Sequence, residues 1–445
     1  MFSKILIANR NEIALRVIKT CKEMGIKTVA VYSTADSNAL HVKLADESIC
    51  IGPPNPKDSY LNFAAIISAA EITDADAIHP GYGFLAENPD FAEMCENCGI
   101  KFIGPTSENI RLFGNKLKAK EIFENAGVPV IPGSKKELKD EKEALEIANE
   151  IEFPIIIKSA SGGGGRGMRI VHSPVNLSHS FLSAQTESIS AFGKSELYIE
   201  KYFEDAKHIE FQIMADEYGN IIHMGERDCS IQRHYQKITE EAPSTILSSK
   251  SREKIGKLIV SAIKSTGYNN VGTIEFLVDS NNNFYFIEMN TRIQVEHPVT
   301  EEITGINIIK EQIRLAAGKR LRFKQRDIKF SGHSIECRIN AEDPLTFTPS
   351  PGRITGYHVP TGFGVRVDSA LYEQYIIPPY YDSLIAKLIV HDETREDAIK
   401  KMIVSLDEYV IEGIKTNIPF HKKILNDVDF IKGEVSTNFL SKFIK

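Results

Sequence analysis

The segment Glu288-Met-Asn-Thr-Arg-Ile-Gln-Val-Glu296 constrains this chain more than any other stretch of it. It runs directly out of the apolar residues Phe284–Ile287, and every second residue is polar: Glu288, Asn290, Arg292, Gln294 and Glu296. In an extended strand, side chains two apart point to the same face. The pattern predicts one surface carrying two carboxylates, two amides and a guanidinium, with Met289, Thr291, Ile293 and Val295 on the other. Extended geometry is expected to continue into His297-Pro298, because the residue before a proline favours it. A merely solvated face holds interchangeable polar residues, whereas this mixture can hold a cation and an oxyanion side by side.

The preceding segment, Val271-Gly-Thr-Ile-Glu-Phe-Leu-Val278, is β-prone, and Asp279-Ser-Asn-Asn-Asn283 is a turn cluster. A hairpin centred on that turn sets Glu275 opposite Glu288. Facing Cβ atoms on paired strands lie about 5 Å apart, so two carboxylates there repel unless a cation lies between them. Oxygen donors alone suit a hard ion such as Mg²⁺ or Mn²⁺, which also takes nucleotide phosphates as ligands.

At 445 residues the chain exceeds one hydrophobic core and should divide into several domains. Its net charge of −7 argues against nucleic acid as a partner. No signal-peptide pattern follows Met1, and no apolar run approaches the roughly 18 residues of a membrane span, so a cytoplasmic location is expected. The six cysteines are scattered, as in a reducing compartment. Cys95-Glu-Asn-Cys98 lacks a second ligand pair for zinc and reads as structural.

The first 110 or so residues alternate strand and helix: strands at Ile5–Ala8, Thr28–Tyr32, Ala77–His79 and Lys101–Gly104, helices at Glu12–Met24 and around Phe91–Cys95. This rhythm predicts an α/β region with a doubly wound parallel sheet. The first turn, Ala8-Asn-Arg-Asn-Glu12, has no G-x-G-x-x-G, which disfavours a nicotinamide dehydrogenase. Further on, Pro154-Ile-Ile-Ile-Lys158 is a buried strand ending in lysine, and four consecutive glycines, Gly162–Gly165, separate it from the strand Arg169–Val171. A loop so permissive is costly to order, and its N–H groups can close over phosphates. It links strand to strand, so it is neither a Walker A loop nor a Rossmann turn; a mobile lid over a nucleotide is expected. Strands at Leu197–Phe203, His208–Ile213 and Glu336–Asn340 and a helix near Asp397–Tyr409 complete the pattern.

Glycine lid, lysine-ended strand and paired carboxylates together resemble the ATP-grasp superfamily, which couples ATP cleavage to carboxylate activation. Ile7-Ala-Asn-Arg10, His79-Pro-Gly-Tyr-Gly-Phe84, Gly162–Met168, Glu226-Arg-Asp-Cys-Ser230, Glu240-Glu-Ala-Pro243, Glu288–Pro298, Glu336–Asp343 and Pro379-Tyr-Tyr-Asp-Ser383 narrow the resemblance to biotin carboxylase over nearly the whole chain. That resemblance implies an N-terminal domain over 1–114, an ATP-grasp domain over 115–330 with its lid at about 131–203, and a C-terminal domain over 331–445. It implies carboxylation of biotin on a biotin carboxyl carrier protein, with ATP, Mg²⁺ or Mn²⁺ (two ions), and bicarbonate, through carboxyphosphate.

By the same resemblance, Lys116, Lys158, Gly163, Gly164 and Gly165 meet the ATP phosphates. Glu200 accepts from the adenine amino group, Lys201 offers its backbone N–H, and Phe203 packs on the base. His208 and Gln232 face ribose and phosphates and Tyr235 lies near the nucleotide, while Glu275, Glu288 and Asn290 hold the ions. Lys237, Arg292, Gln294, the Val295 backbone and Glu296 receive bicarbonate, with Glu296 as general base, brought close by the shared strand face. Arg338 stabilises the biotin enolate oxygen, with Tyr82 beside it in the biotin site; a structural ion pair with Glu336 or Glu342 is the alternative for Arg338. Arg16, Glu23, Phe363 and Arg366 match a homodimer interface, with Lys19 in place of an arginine.

The chain departs from the family pattern in places. Asn11 stands where the family has glycine, a change asparagine tolerates because it enters the left-handed region readily. His234 and Tyr235 replace an arginine and a histidine or asparagine near the nucleotide. No biotin-accepting Met-Lys-Met motif and no carboxyltransferase segment is present. The expectation is a stand-alone subunit that meets a separate carrier and a separate carboxyltransferase. Acetyl-CoA carboxylase, and hence fatty acid biosynthesis, is the favoured system. The alternatives are the biotin-carboxylating subunit of a two-subunit pyruvate carboxylase, or another ATP-grasp ligase.

Overall fold

The computed structural model describes residues 1–159, 168–192 and 196–444. Near the N-terminus, five parallel strands lie in the order Glu47–Gly52, Lys27–Ser33, Lys4–Ile7, Ala77–His79, Lys101–Phe102. Alternation along the central strand sorts its side chains into two cores. Ile5 and Ile7 pack with Ile13, Val17 and Ile18 of the helix Asn11–Glu23. Leu6 and Ala8 pack with Ile66 and Phe91 of the helices Phe63–Ile72 and Pro89–Asn97 on the opposite face. Helices on both faces of a parallel sheet make it doubly wound, as the βαβ rhythm predicts. Asn11 takes φ 59° in the first turn, and its Nδ2 donates to the Leu384 carbonyl at 2.8 Å.

The larger sheet is antiparallel throughout, in the order Phe284–Asn290, Asn270–Val278, Lys207–Ala215, Ile221–Arg233, Gln236–Ala242, His333–Asn340, Leu384–Asp392, Val365–Ser369. It crosses residue 330 without a break, so side chains far apart in sequence share one surface. Glu275 pairs with Glu288, the register that the turn cluster implies, and a bulge follows at Glu275–Phe276. The neighbouring hairpin turns through His234 and Tyr235, both left-handed (φ 48° and 65°), and sets Gln232 opposite Lys237. Positive φ at both central residues matches the strand twist of a two-residue hairpin loop, at about 1–2 kcal/mol each for residues other than glycine.

A third sheet, Arg169–Val171, Ile155–Ser159, Leu197–Lys201, carries the helix Glu141–Ile151 and the helix Leu177–Phe192 against it. Ile157 pairs with Arg169 at the end of the antiparallel ladder. Gly163, Gly164 and Gly165 themselves lie outside the described residues.

The expected extension of the catalytic strand to Glu296 is corrected. The strand ends at Asn290, the chain turns through Thr291–Glu296, and a helix runs over His297–Thr304 with Glu296 at its N-cap (φ −82°, ψ 11°). Proline lacks an N–H and has φ preset for the first helical turn; here that outweighs the extended preference of His297. The strands are also shorter than expected at Phe102 and Lys201, and the late helix spans Arg395–Glu408. Among the described residues, no helix is long and apolar enough to cross a membrane.

Candidate active site

A cleft of about 1030 Å³ opens where loops of the parallel sheet, the three-stranded sheet and one face of the large sheet converge. At one end, Lys116 begins the helix Lys116–Asn125 and places Nζ 2.8 Å from Glu288 Oε2. Lys158, on the strand Ile155–Ser159, reaches Glu200 Oε2 at 2.6 Å. Lys120, one helical turn after Lys116, pairs with the other Glu200 oxygen. Three ammonium groups thus share two carboxylates. Burial, and then the charge of Lys116, push Lys158 down to about 7. Burial and both neighbouring lysines push Lys120 well down. Against the cost of burial, Glu288 holds Lys116 above its ordinary value.

On the adenine side, two groups expected to meet the base have partners within the chain. The Glu200 carboxylate, 1% exposed, is taken by its two lysines, because a charge that deeply buried requires a counter-ion. The Lys201 N–H donates to Pro132 O at 2.8 Å, and its Nζ to the carbonyls of Glu152 and Phe153. Phe203 stacks on Tyr285, with ring centroids 4.9 Å apart. Tyr235, 48% exposed, lines the cleft from the hairpin turn.

In the middle, Glu275 Oε1 accepts from Lys237 (3.0 Å), Asn290 Nδ2 (2.7 Å) and Gln294 Nε2 (3.2 Å), and its Oε2 lies 2.9 Å from His208 Nε2. Gln232 Nε2 lies 2.6 Å from the other His208 nitrogen. Burial alone would raise the Glu275 carboxyl; Lys237 and His208 hold it well below the usual range. Glu275, Glu288 and Asn290 offer oxygen donors from two facing strands, a set that fits Mg²⁺ or Mn²⁺. The ammonium groups of Lys237 and Lys116 balance those carboxylates here.

At the far end, Lys237 Nζ contacts Glu210 (2.5 Å), Glu275 (3.0 Å) and Glu296 (2.7 Å). Arg338 donates through Nε to Glu240 (2.5 Å) and through Nη2 to Glu296 (2.8 Å). Its partners are therefore neither Glu336 nor Glu342. Glu296 is fully buried; Lys237, Arg338 and Arg227 overcome that burial and hold it ionised, far below the carboxylate range. Glu240 behaves oppositely: burial, with the charge of Glu296, pushes it up to about 7 against the pull of Arg338. Glu296 reaches Lys237 and Arg338 because its helix packs against the strands that carry them, not through a shared strand face. Arg292 spends its fork on Glu87 (2.9 Å), Gln294 Oε1 (2.7 Å) and Asn290 Oδ1 (3.1 Å). The Val295 carbonyl accepts from Lys387 at 2.9 Å. Tyr82 donates its hydroxyl to Glu12 and lines the cleft together with Arg338.

Sequence reasoning missed Lys120, Glu210, Arg227 and the role of Glu240. Lys120 had a signal, its spacing of four from Lys116. Glu240 stood within the motif Glu240–Pro243 without a partner. Arg227 likewise stood within Glu226–Ser230 without a partner, and Glu210 had no signal, since their pairing (2.5 Å) needs two strands in register.

A buried lysine cluster, facing carboxylates and an ionised glutamate between two cations, set in this sheet arrangement, define an ATP-dependent ligase of the ATP-grasp class. Residues 1–110 match the biotin carboxylase N-terminal domain, residues 115–324 the ATP-binding domain of the carbamoyl-phosphate synthase L chain, and residues 336–442 the biotin carboxylase C-terminal domain. A biotin carboxylase of Nostoc sp. is 57% identical over 445 residues, covering 100% of both chains. A pyruvate carboxylase subunit of Methanothermobacter thermautotrophicus is 55% identical over 444 residues, covering 100% of this chain and 90% of that one. The biotin carboxylase domain dimer of Hydrogenobacter thermophilus 2-oxoglutarate carboxylase, solved with MgADP, ADP and bicarbonate, is 55% identical with a TM-score of 0.97, covering 99% of this chain and 98% of that one. The chain belongs to the biotin carboxylase family and is an ATP-dependent carboxylating ligase.

Proposed function

We propose that the chain carboxylates biotin carried on a biotin carboxyl carrier protein, using MgATP and bicarbonate. The observation that carries this is Glu296, buried and ionised between Lys237 and Arg338, both of which line the cleft. Lys116 and Lys158 neutralise phosphates, and Gly163, Gly164 and Gly165 offer them backbone N–H groups. Glu275, Glu288 and Asn290 would hold the divalent ions, which supply further charge neutralisation there. Phe203, His208, Gln232 and Tyr235 surround the nucleoside, with Glu200 and Lys201 on its adenine side.

Bicarbonate enters between Lys237 and Arg292, where Arg292 exchanges the half-exposed Glu87 for a forked, charge-assisted contact. Gln294 and the Val295 backbone complete its hydrogen bonds. Glu296 takes the bicarbonate proton; strong pairing lowers its basicity, so placement rather than pKa supplies the advantage. The freed oxygen attacks the γ-phosphorus and ADP leaves. Carboxyphosphate then breaks to CO₂ and phosphate, and that phosphate removes the ureido proton of biotin. Arg338 neutralises the enolate oxygen while the nitrogen captures CO₂, with Tyr82 lining the same pocket.

Domain limits of 1–114, 115–330 and 331–445 belong to the same proposal, as do a cytoplasmic location and a separate carboxyltransferase. Arg16 and Arg366 converge on Glu301 (3.1 and 2.8 Å), while Phe363 is 96% exposed and Glu23, on the helix of Arg16, is exposed too, which supports a homodimer. Acetyl-CoA carboxylase is the proposed system. The likeness to a pyruvate carboxylase subunit favours a second reading with pyruvate as final acceptor.

Labelled bicarbonate, MgATP and free biotin test the half-reaction. Biotin-dependent incorporation is expected, and Glu296→Gln is expected to abolish it. ATP hydrolysis without labelled biotin would point to another ATP-grasp ligase.

A further inference from the structure

We propose that Lys120 is a positioning residue of the nucleotide cleft: it keeps Glu200 neutralised, so that Lys158 can leave that carboxylate for a phosphate. This deepens the proposed function and presupposes that the cleft takes a nucleotide. Glu200 is 1% exposed, with Lys158 on Oε2 at 2.6 Å and Lys120 on Oε1. Of the two lysines, Lys158 lines the cleft, while Lys120 lies behind the wall, 8% exposed and 5.3 Å from the centroid of the Tyr198 ring.

With Lys158 as sole partner, its departure would strand a buried carboxylate, and breaking one side of a buried pair is strongly unfavourable. That cost would be subtracted from every phosphate contact Lys158 makes. With Lys120 in place, Glu200 keeps a lysine partner on Oε1 when Lys158 leaves Oε2, and that departure removes one of the charges that push Lys120 down, while repulsion from Lys116 drives Lys158 toward an incoming anion. The crowding is visible in Lys158, which burial and Lys116 push down to about 7.

The test is the MgADP dissociation constant of the full chain, measured by calorimetry for wild type, Lys120→Met, Glu200→Gln and the double variant. Lys120→Met is expected to weaken binding by about tenfold, the scale on which groups in one buried network interact. In the Glu200→Gln background the same substitution is expected to change nothing, because no carboxylate remains to hold Lys158 back. Wild-type affinity in Lys120→Met, or an equal loss in both backgrounds, would overturn the inference. Should Lys120→Met alone fail to fold, Glu200→Gln against the double variant decides: equal affinities support the role, and a weaker double variant refutes it. A wild-type chain that does not bind MgADP would instead overturn the nucleotide role of the cleft.

Discussion

The two ends of the cleft are built on opposite electrostatic principles. At the lysine end, Lys116, Lys120 and Lys158 outnumber Glu200 and Glu288, and Lys158 is pushed down to about 7. At the other end, Glu210, Glu240, Glu275 and Glu296 outnumber Lys237, Arg227 and Arg338, and there it is a carboxyl, Glu240, that is pushed up to about 7. The first end is short of negative charge, which suits the polyphosphate of the proposed function. The second is a closed lattice of ion pairs that holds one carboxylate ionised and one guanidinium fixed before substrate arrives. On the proposed function, affinity is expected to reside at the first end and rate at the second, since preorganised charge acts on the transition state without reorganisation.

Arg338→Gln breaks this division most sharply if it is wrong: kcat for biotin carboxylation should fall by about 10²–10³-fold, the scale of a lost preorganised donor, with MgADP affinity unchanged in a calorimetric titration. Loss of both would mean the ends are not separate. Lys116→Met should do the reverse, raising the KM for ATP by the equivalent of about 1.5–3 kcal/mol, the value of a hydrogen bond to a charged group, with a much smaller change in kcat; steady-state kinetics separate the two.

The pH dependence of binding sharpens the contrast. Free Lys158 loses its proton as pH rises through about 7, and the protonated form is the one that meets phosphate. MgADP affinity should be flat below pH 7 and fall above it, by at most about tenfold per unit, with proton uptake seen as a buffer-dependent binding enthalpy. A pH-independent affinity up to pH 9 would remove Lys158 from the phosphate site. The smallest effect is expected furthest from the cleft: Phe363→Asp should shift a homodimer toward monomer in sedimentation while leaving kcat within about twofold, as for an exposed position outside the site.

The hairpin register was legible because it needs only a turn and a period of two: Asp279–Asn283 centres the pair, and Glu275 meets Glu288. The doubly wound sheet was legible for the same kind of reason, its strands being short apolar runs closed by turns. Glu296 was placed on the right side of the molecule for the wrong reason. Alternation carried it along a strand, whereas Pro298 starts a helix and the packing of that helix delivers the carboxylate. Lys201 was assigned a free backbone donor that a neighbouring loop consumes, since no local pattern shows Pro132 lying beside it.

By itself the sequence determined what depends on neighbours along the chain: strand periods, turn centres, the glycine run and the order of motifs that marks the family. Tertiary structure alone decided which charges meet. Glu200 between Lys120 and Lys158, and Glu296 between Lys237 and Arg338, join residues 42 to 80 positions apart. The physical reason is that an ion's protonation state depends on burial and on charges within a few ångströms, and those distances exist only once the sheets have packed.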